Sequence, residues 1–162
     1  MAPNLGQLFL AEGDRVFGFL LARCGSRALA EDLTAEVFLD AGRRFRTDGA
    51  ASIDAGWLFT VARRRLIDHW RRESSRSRRL DRLRDEALRT APADGDEAAG
   101  DGVAEALASL GERHRAALVL RYLEDFSVSE VADALGLGYK ATESVLSRAR
   151  AAFARAYEQE TR

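Results

Sequence analysis

The chain has 162 residues, 25 basic and 26 acidic side chains for a formal net charge of −1, and two prolines; its content of Ala, Leu and Arg favours helix. Its one cysteine, Cys24, excludes an intramolecular disulfide and a cysteine cluster for zinc or an iron–sulfur centre. No segment approaches the ~20 apolar residues needed to cross a bilayer, and the first residues lack the pattern of a secretory signal, so a soluble, cytoplasmic and reducing setting is expected.

In chain order, Leu5, Leu8, Phe9, Val16, Phe19 and Leu20 come at near-helical spacing and predict a first helix, which "RCGSRALAED" interrupts. Ser26 is placed to cap the next helix. Leu29, Leu33, Val37, Ala41 and Phe45 recur every four residues and predict that second helix, with one buried stripe. Residues 47–56 are too rich in small and turn-forming types to continue it, so a loop is expected. A third helix begins at "WLFTVARRRLIDHWRRESS". Leu58, Ala62, Leu66 and Trp70 fall on one side of it, while Trp57, Arg64, Asp68 and Arg71 share the other. One face is core; the other is cationic, with an exposed aromatic at its head. That pairing suits stacking on unpaired bases with guanidinium groups on the adjacent backbone. The competing reading packs Trp57 on the loop before it.

The net charge conceals a segregation. Residues 1–62 carry 6 basic and 8 acidic side chains, residues 63–89 carry 11 arginines against 5 acids, residues 90–112 carry 6 acids and no base, and the remainder carries 8 basic and 7 acidic. A positive block beside a negative one fits a polyanion-binding surface next to an acidic tether, because the field that attracts phosphate is local. A solvated charged helix followed by a solvated loop fits it as well.

The arginine-rich "RSRRLDRLRDEALR" can extend the third helix, and "TAPADGDEAAGDG" has the composition of a flexible linker, with a boundary near residues 90–102. Helical periodicity restarts through Val103, Leu107 and Leu110, then Ala117, Leu118, Leu120 and Leu123. No strand-like alternation occurs. The expected fold is all-α: two small helical domains joined by a flexible linker.

The second domain ends in "SVSEVADALGLGYKATESVLSRARAAF", an apolar pattern broken by "GLG". A helix-turn-helix needs a small residue where its helices cross and a glycine at the turn, and Ala132 and Gly136 supply them. Val131, Leu135 and Leu137 flank the crossing, and the second helix can bury Thr142, Leu146, Ala149 and Phe153. Lys140, Glu143, Ser144, Ser147 and Arg148 then project outward, where base-edge contacts arise when such a helix enters the major groove. Glu143 repels phosphate but can accept from cytosine N4. A plain packed hairpin, with Glu143 serving Lys140 as an intrahelical partner, is the alternative.

No catalytic spacing is evident. His69 and His114 are isolated, and no Ser–His–acid, metal-ligand or phosphate-loop pattern occurs, so no enzyme, cofactor or metal is expected. Cys24 has no resolving partner and reads as a packed, inert thiol.

Three segments in order resemble the extracytoplasmic-function sigma factors of bacterial RNA polymerase, in the sigma-70 family. "AEDLTAEVFLDAGRRF" looks like the segment that docks on the polymerase clamp, "WLFTVARRRLIDHWRR" like the promoter-melting and −10-reading helix, and "LGERHRAALVLRYLEDFSVSEVADALGLGYKATESVLSRAR" like the −35-reading domain. The resemblance implies a region 2-like domain over 1–90, a linker over 91–102 and a region 4-like domain over 103–162. It implies polymerase contacts at Glu31, Asp32, Glu36, Phe38 and Leu39. It implies −10 contacts at Arg46, Ser52, Asp54, Trp57, Arg64, Asp68, Arg71 and Arg72, the loop over residues 46–55 capturing a flipped base. The −35 contacts fall to Lys140, Glu143, Ser144, Ser147 and Arg148. The implied partners are core RNA polymerase, promoter DNA and an anti-sigma factor, without membrane insertion. The chain departs from the family pattern at Ala35, where Gln is usual, at Arg64 (Asn), at Glu143 (basic), at Val145 (Arg) and at Thr142 (aliphatic). A polymerase-independent regulator using only the helix-turn-helix, and an interaction module or decoy sigma factor, are the rival functions.

Overall fold

The computed structural model describes residues 4–49, 52–81 and 102–160. Among these the chain forms α1 (Leu5–Cys24), α2 (Arg27–Asp48), α3 (Ala55–Asp81), α4 (Gly102–Ala108), α5 (Glu112–Leu118), α6 (Val128–Leu135) and α7 (Tyr139–Glu160), with no strand. A π-helical turn, Val119–Leu123, extends α5.

Helices α1 to α3 make the N-terminal lobe, each packed on the other two. Asn4 opens α1 with a reciprocal cap: its Oδ1 accepts from Gln7 N at 2.8 Å, and Gln7 Oε1 accepts from Asn4 N at 3.0 Å. Gly25, at φ 63°, takes the left-handed turn that ends α1, and the Ser26 hydroxyl caps α2 by accepting from Leu29 N. The expected stripes meet in the core: Val16, Leu20, Leu33, Val37, Ala41, Leu58, Ala62, Leu66 and Trp70 are each at most 2% exposed.

The loop between α2 and α3 is shorter than its composition predicts. Helix α2 continues through Thr47 and Asp48 because the Thr47 hydroxyl donates back to the Arg43 and Arg44 carbonyls, and Gly49 caps it at φ 79°. Helix α3 starts at Ala55 because the Asp54 carboxylate accepts from Trp57 N at 2.7 Å. The predicted linker over 91–102 and any extension of α3 past Asp81 lie outside the described residues, apart from Gly102, where α4 begins.

In the C-terminal lobe α7 lies against α4, α5 and α6. Ser127 and Glu130 form a capping box at the head of α6, and Gly136, at φ 62°, makes the turn into α7. Donation from the Ser127 N–H holds the Glu130 carboxyl below the usual carboxylate range. Three apolar positions assigned to buried stripes lie outside them: Phe9 is 50%, Val103 42% and Leu123 47% exposed. Leu123 belongs to the π-helical turn, whose wider winding rotates it off the α5 stripe.

Periodicity says nothing of how the lobes meet. They pack directly, α1 on α4 and α5 and α3 on α6, and one continuous apolar core runs through both. Arg115, 2% exposed, sits at the junction. Its guanidinium donates to the carbonyls of Leu107 (2.8 Å), Ala108 (2.7 Å) and Leu110 (2.6 Å), closing the end of α4, and to the Cys24 carbonyl at the end of α1. Gly25 is needed here twice, for its positive φ and because a Cβ would lie 2.7 Å from Arg115 Cζ. Cys24 itself is buried and its thiol donates to the Ser26 carbonyl; burial pushes its pKa up, as for a packed, unreactive thiol.

Candidate nucleic-acid interface

Three surfaces carry the residues singled out by sequence. On the outer side of α2, Glu31, Asp32 and Leu39 are exposed, Leu39 by 61%. Glu36 is half-buried and Phe38 is turned inward, 9% exposed, with its ring edge-on to Phe9 at 4.8 Å. Phe38 therefore shapes this face from beneath, and Phe9 and Leu39 supply its apolar surface.

Arg65, which sequence reasoning passed over, organises the same face. It reaches from α3 to α2, donating to Asp40 at 2.9 and 2.5 Å and to Glu36 at 3.3 Å. The hydrogen bond to Asp40 raises its pKa further above the usual arginine value. Glu36 is thus held by an internal cation, whereas Asp32 presents its charge to solvent. An arginine between the core stripe and the cationic face of α3 was the available signal, but its partner lies on another helix.

The second surface is the α2–α3 loop and the head of α3. Arg64, Arg71 and Arg72 are exposed and Asp68 is half-buried, 3.9 Å from Arg71. Arg46 is exposed on the last turn of α2. Trp57 corrects the expectation of an exposed aromatic: it is half-buried, packs against the core, and lies under the Arg44 guanidinium, 5.2 Å from the ring centroid. The start of α3 at Ala55 places Trp57 in its first turn, against the loop. Arg44, also passed over, donates to the Ser52 carbonyl at 3.1 Å, while the Ser52 hydroxyl donates to the Gly49 carbonyl at 2.7 Å. The loop is therefore pre-shaped, with Asp54 engaged by the Trp57 N–H, and sets a half-buried indole beside a row of arginines. Such a surface can stack on an extruded base and neutralise the flanking phosphates.

The third surface is α7. Lys140, Glu143, Ser144, Ser147 and Arg148 all face solvent, while Thr142, Leu146 and Ala149 on the opposite side are at most 2% exposed. The buried Thr142 hydroxyl is satisfied by donation to the Gly138 carbonyl at 2.9 Å, so a polar residue in this aliphatic position leaves no broken bond. Val145 is half-buried against the core, at the edge of the exposed face. Close by is His114, whose pKa is pushed down, by burial first and then by the charges of Arg148 and Arg113. His69 is paired across the lobes, its Nε2 3.0 Å from Glu112 Oε1, and this bond holds the Glu112 carboxyl below its usual range.

No helix among the described residues is long and apolar enough to cross a membrane. Residues 8–76 match the family model of sigma-70 region 2, and residues 101–153 that of sigma-70 region 4. The chain is 32% identical over 169 residues to the ECF RNA polymerase sigma factor BldN of Streptomyces coelicolor, covering 99% of this chain and 63% of BldN, so it spans less than two thirds of that relative's length. It is 34% identical over 133 residues to SigL of Mycobacterium tuberculosis (79% of this chain, 74% of SigL) and 30% identical over 138 residues to SigM of Bacillus subtilis (83% of each), both ECF RNA polymerase sigma factors. Among solved structures it is similar to the sigma factor RpoE in complex with the anti-sigma factor NepR from Bartonella quintana (TM-score 0.48, 22% identity, 94% and 96% of the two chains). It is also similar to a chain of the RsbN–BldN complex (TM-score 0.37, 28% identity, 94% and 90%). With both sigma-70 regions present in family order and relatives of this identity over most of their length, the chain belongs to the extracytoplasmic-function sigma factors of the sigma-70 family.

Proposed function

We propose that this chain is a promoter-specificity subunit: it binds core RNA polymerase, recognises −35 and −10 elements and helps to open the DNA, and has no active site of its own. The observation that carries this reading is the coincidence of each family-matched region with one lobe that bears an outward polar or cationic helix face, α3 in the first and α7 in the second. Residues 1–90 serve polymerase docking, −10 recognition and melting, residues 91–102 connect, and residues 103–162 read −35. Glu31, Asp32 and Leu39 are the exposed residues of the docking set, Glu31 paired with Arg27 at 3.0 Å. An anti-sigma factor is the further partner that the family resemblance implies, in a cytoplasmic setting.

Run-off transcription with purified core polymerase on fragmented genomic DNA tests recruitment, recognition and opening together. Discrete transcripts that depend on this chain are expected. Copurification with polymerase but no transcript would favour a decoy, and tight duplex binding without polymerase would favour an independent regulator.

Melting has its own test. Stacking on an aromatic side chain is worth about 1–3 kcal/mol per base and is available only after unpairing. Trp57→Ala is therefore expected to reduce permanganate reactivity of promoter thymines roughly 5- to 150-fold at limiting factor, with recruitment little changed. Trp57→Phe keeps a ring under Arg44 and is expected to retain most opening. Equal bubbles in wild type and Trp57→Ala would make the tryptophan a packing residue only.

A further inference from the structure

Arg150 of α7 and Tyr122 of the π-helical turn belong to none of these surfaces, yet they join two elements: Arg150 Nη1 donates to the Tyr122 hydroxyl at 3.0 Å. The π-helical turn makes the contact. It buries Val119 and Leu120 and turns Tyr122 outward, 52% exposed, and single π turns interrupt helices mostly at functional sites. The segment is tied down by Glu124 N donating to the Val119 carbonyl at 3.0 Å and Phe126 N to the Leu120 carbonyl at 2.9 Å. Arg121 of the same turn donates to the Phe126 carbonyl at 3.2 Å, and its guanidinium lies 5.7 Å from the Tyr122 ring centroid. One tyrosine thus stands between two guanidinium groups. Because its oxygen accepts from Arg150, its own proton is left to donate outward.

The place of Arg150 on α7 indicates what the pair serves. Glu143 and Arg150 are two turns apart and share one edge of the exposed face, with Lys140, Ser144 and Ser147 along its middle. Arg148 stands on the other edge. A helix about 10–12 Å across fills a major groove about 12 Å wide, so its two edges face the two phosphate backbones. On the edge where Glu143 repels phosphate, Arg150 supplies the cation. No acid stands three or four residues from it in sequence, and among the described residues its side chain is engaged by Tyr122 alone. A free arginine loses on the order of 2 kcal/mol of rotamer entropy when it is fixed; one already oriented by a phenol loses less on binding.

We propose that Arg150, held in place by Tyr122, contacts a DNA phosphate beside the −35 element when α7 lies in the major groove, which rests on the reading of α7 given above. A backbone contact is independent of sequence, so a short duplex of arbitrary sequence, bound to the full chain and titrated with salt, reports it. Arg150→Ala is expected to make the slope of log affinity against log salt shallower by about 0.9 and to weaken binding roughly tenfold at low salt. Arg150→Lys keeps the charge and is expected to keep the slope. Tyr122→Phe keeps the ring but removes the acceptor, and is expected to weaken binding about 2- to 10-fold with the slope unchanged. In the Arg150→Ala background the same change should cost nothing, since Tyr122 acts through the arginine. Lys140→Ala, on the middle of the face, is the reference. A slope lowered by Lys140→Ala but not by Arg150→Ala overturns the phosphate contact and leaves the proposed function standing. Slopes unmoved by either count against α7 as a DNA reader. A Tyr122→Phe loss that keeps its full size without Arg150 overturns the positioning role. Loss of core polymerase binding by Arg150→Ala, with unchanged DNA curves, would make this edge a protein contact instead.

Discussion

Replacing Arg115 with Ala is expected to destabilise the folded chain by roughly 3–5 kcal/mol, a large share of the total stability of a small domain. Four carbonyls lose the guanidinium at once: those of Leu107, Ala108 and Leu110 at the end of α4, and that of Cys24 at the end of α1, of which Leu107 keeps the Leu110 N–H as a donor. Each buried carbonyl left unpaired costs about 1–3 kcal/mol, moderated where water can reach it. Helix α4 has only seven residues and no stability of its own, so it depends on this closure. Gly25→Ala approaches the same junction from the other side. It forces a Cβ at φ 63° to within 2.7 Å of Arg115 Cζ, and should cost at least the 1–2 kcal/mol or so of left-handed strain. In the double variant the clash is gone, so the two effects should sum to less than their separate values. Urea unfolding followed by circular dichroism measures all three. An Arg115→Ala midpoint indistinguishable from wild type would mean that the buried guanidinium is dispensable to the fold.

Arg148 and Glu143 of α7 should respond in opposite ways. Arg148→Ala is expected to lose about 1–3 kcal/mol of polymerase-dependent binding if it makes a bidentate base contact, with the loss concentrated on the cognate −35 element. Glu143→Lys should instead strengthen binding to cognate and scrambled duplexes alike, because a repulsive charge near the phosphates becomes attractive and counterion release is largely independent of sequence. Discrimination should fall in both variants. Both side chains are exposed and the opposite face of the helix carries the packing, so neither change should unsettle the fold. Removal of Arg148 should also raise the His114 pKa, since one of the charges holding it down is gone; a proton NMR titration reads this without DNA. Salt-dependent binding with core polymerase present decides the DNA effects. Curves unmoved by either substitution would make α7 a packing helix.

Much of this was legible in the sequence because it is local. The four-residue stripes through Leu33, Val37 and Ala41 and through Leu58, Ala62, Leu66 and Trp70 are helical periodicity written directly into the chain, and the structure buries them as the spacing demands. Ser26 as a cap, Gly136 at the turn and the outward face of α7 come from the same local chemistry. The family was legible too, because three segments kept their order. Tertiary contacts decided the rest. Trp57 is half-buried under Arg44 because the loop is shorter than its composition indicates, and Phe38 turns inward because Phe9 lies across from it. Glu36 is occupied by Arg65 from another helix, and Glu124 by arginines that come from the other lobe and lie 101 and 61 positions earlier in the sequence. Pattern along a chain reports which face of a helix is apolar; it carries no information about which distant charge meets a given carboxylate, because that depends on how whole helices pack.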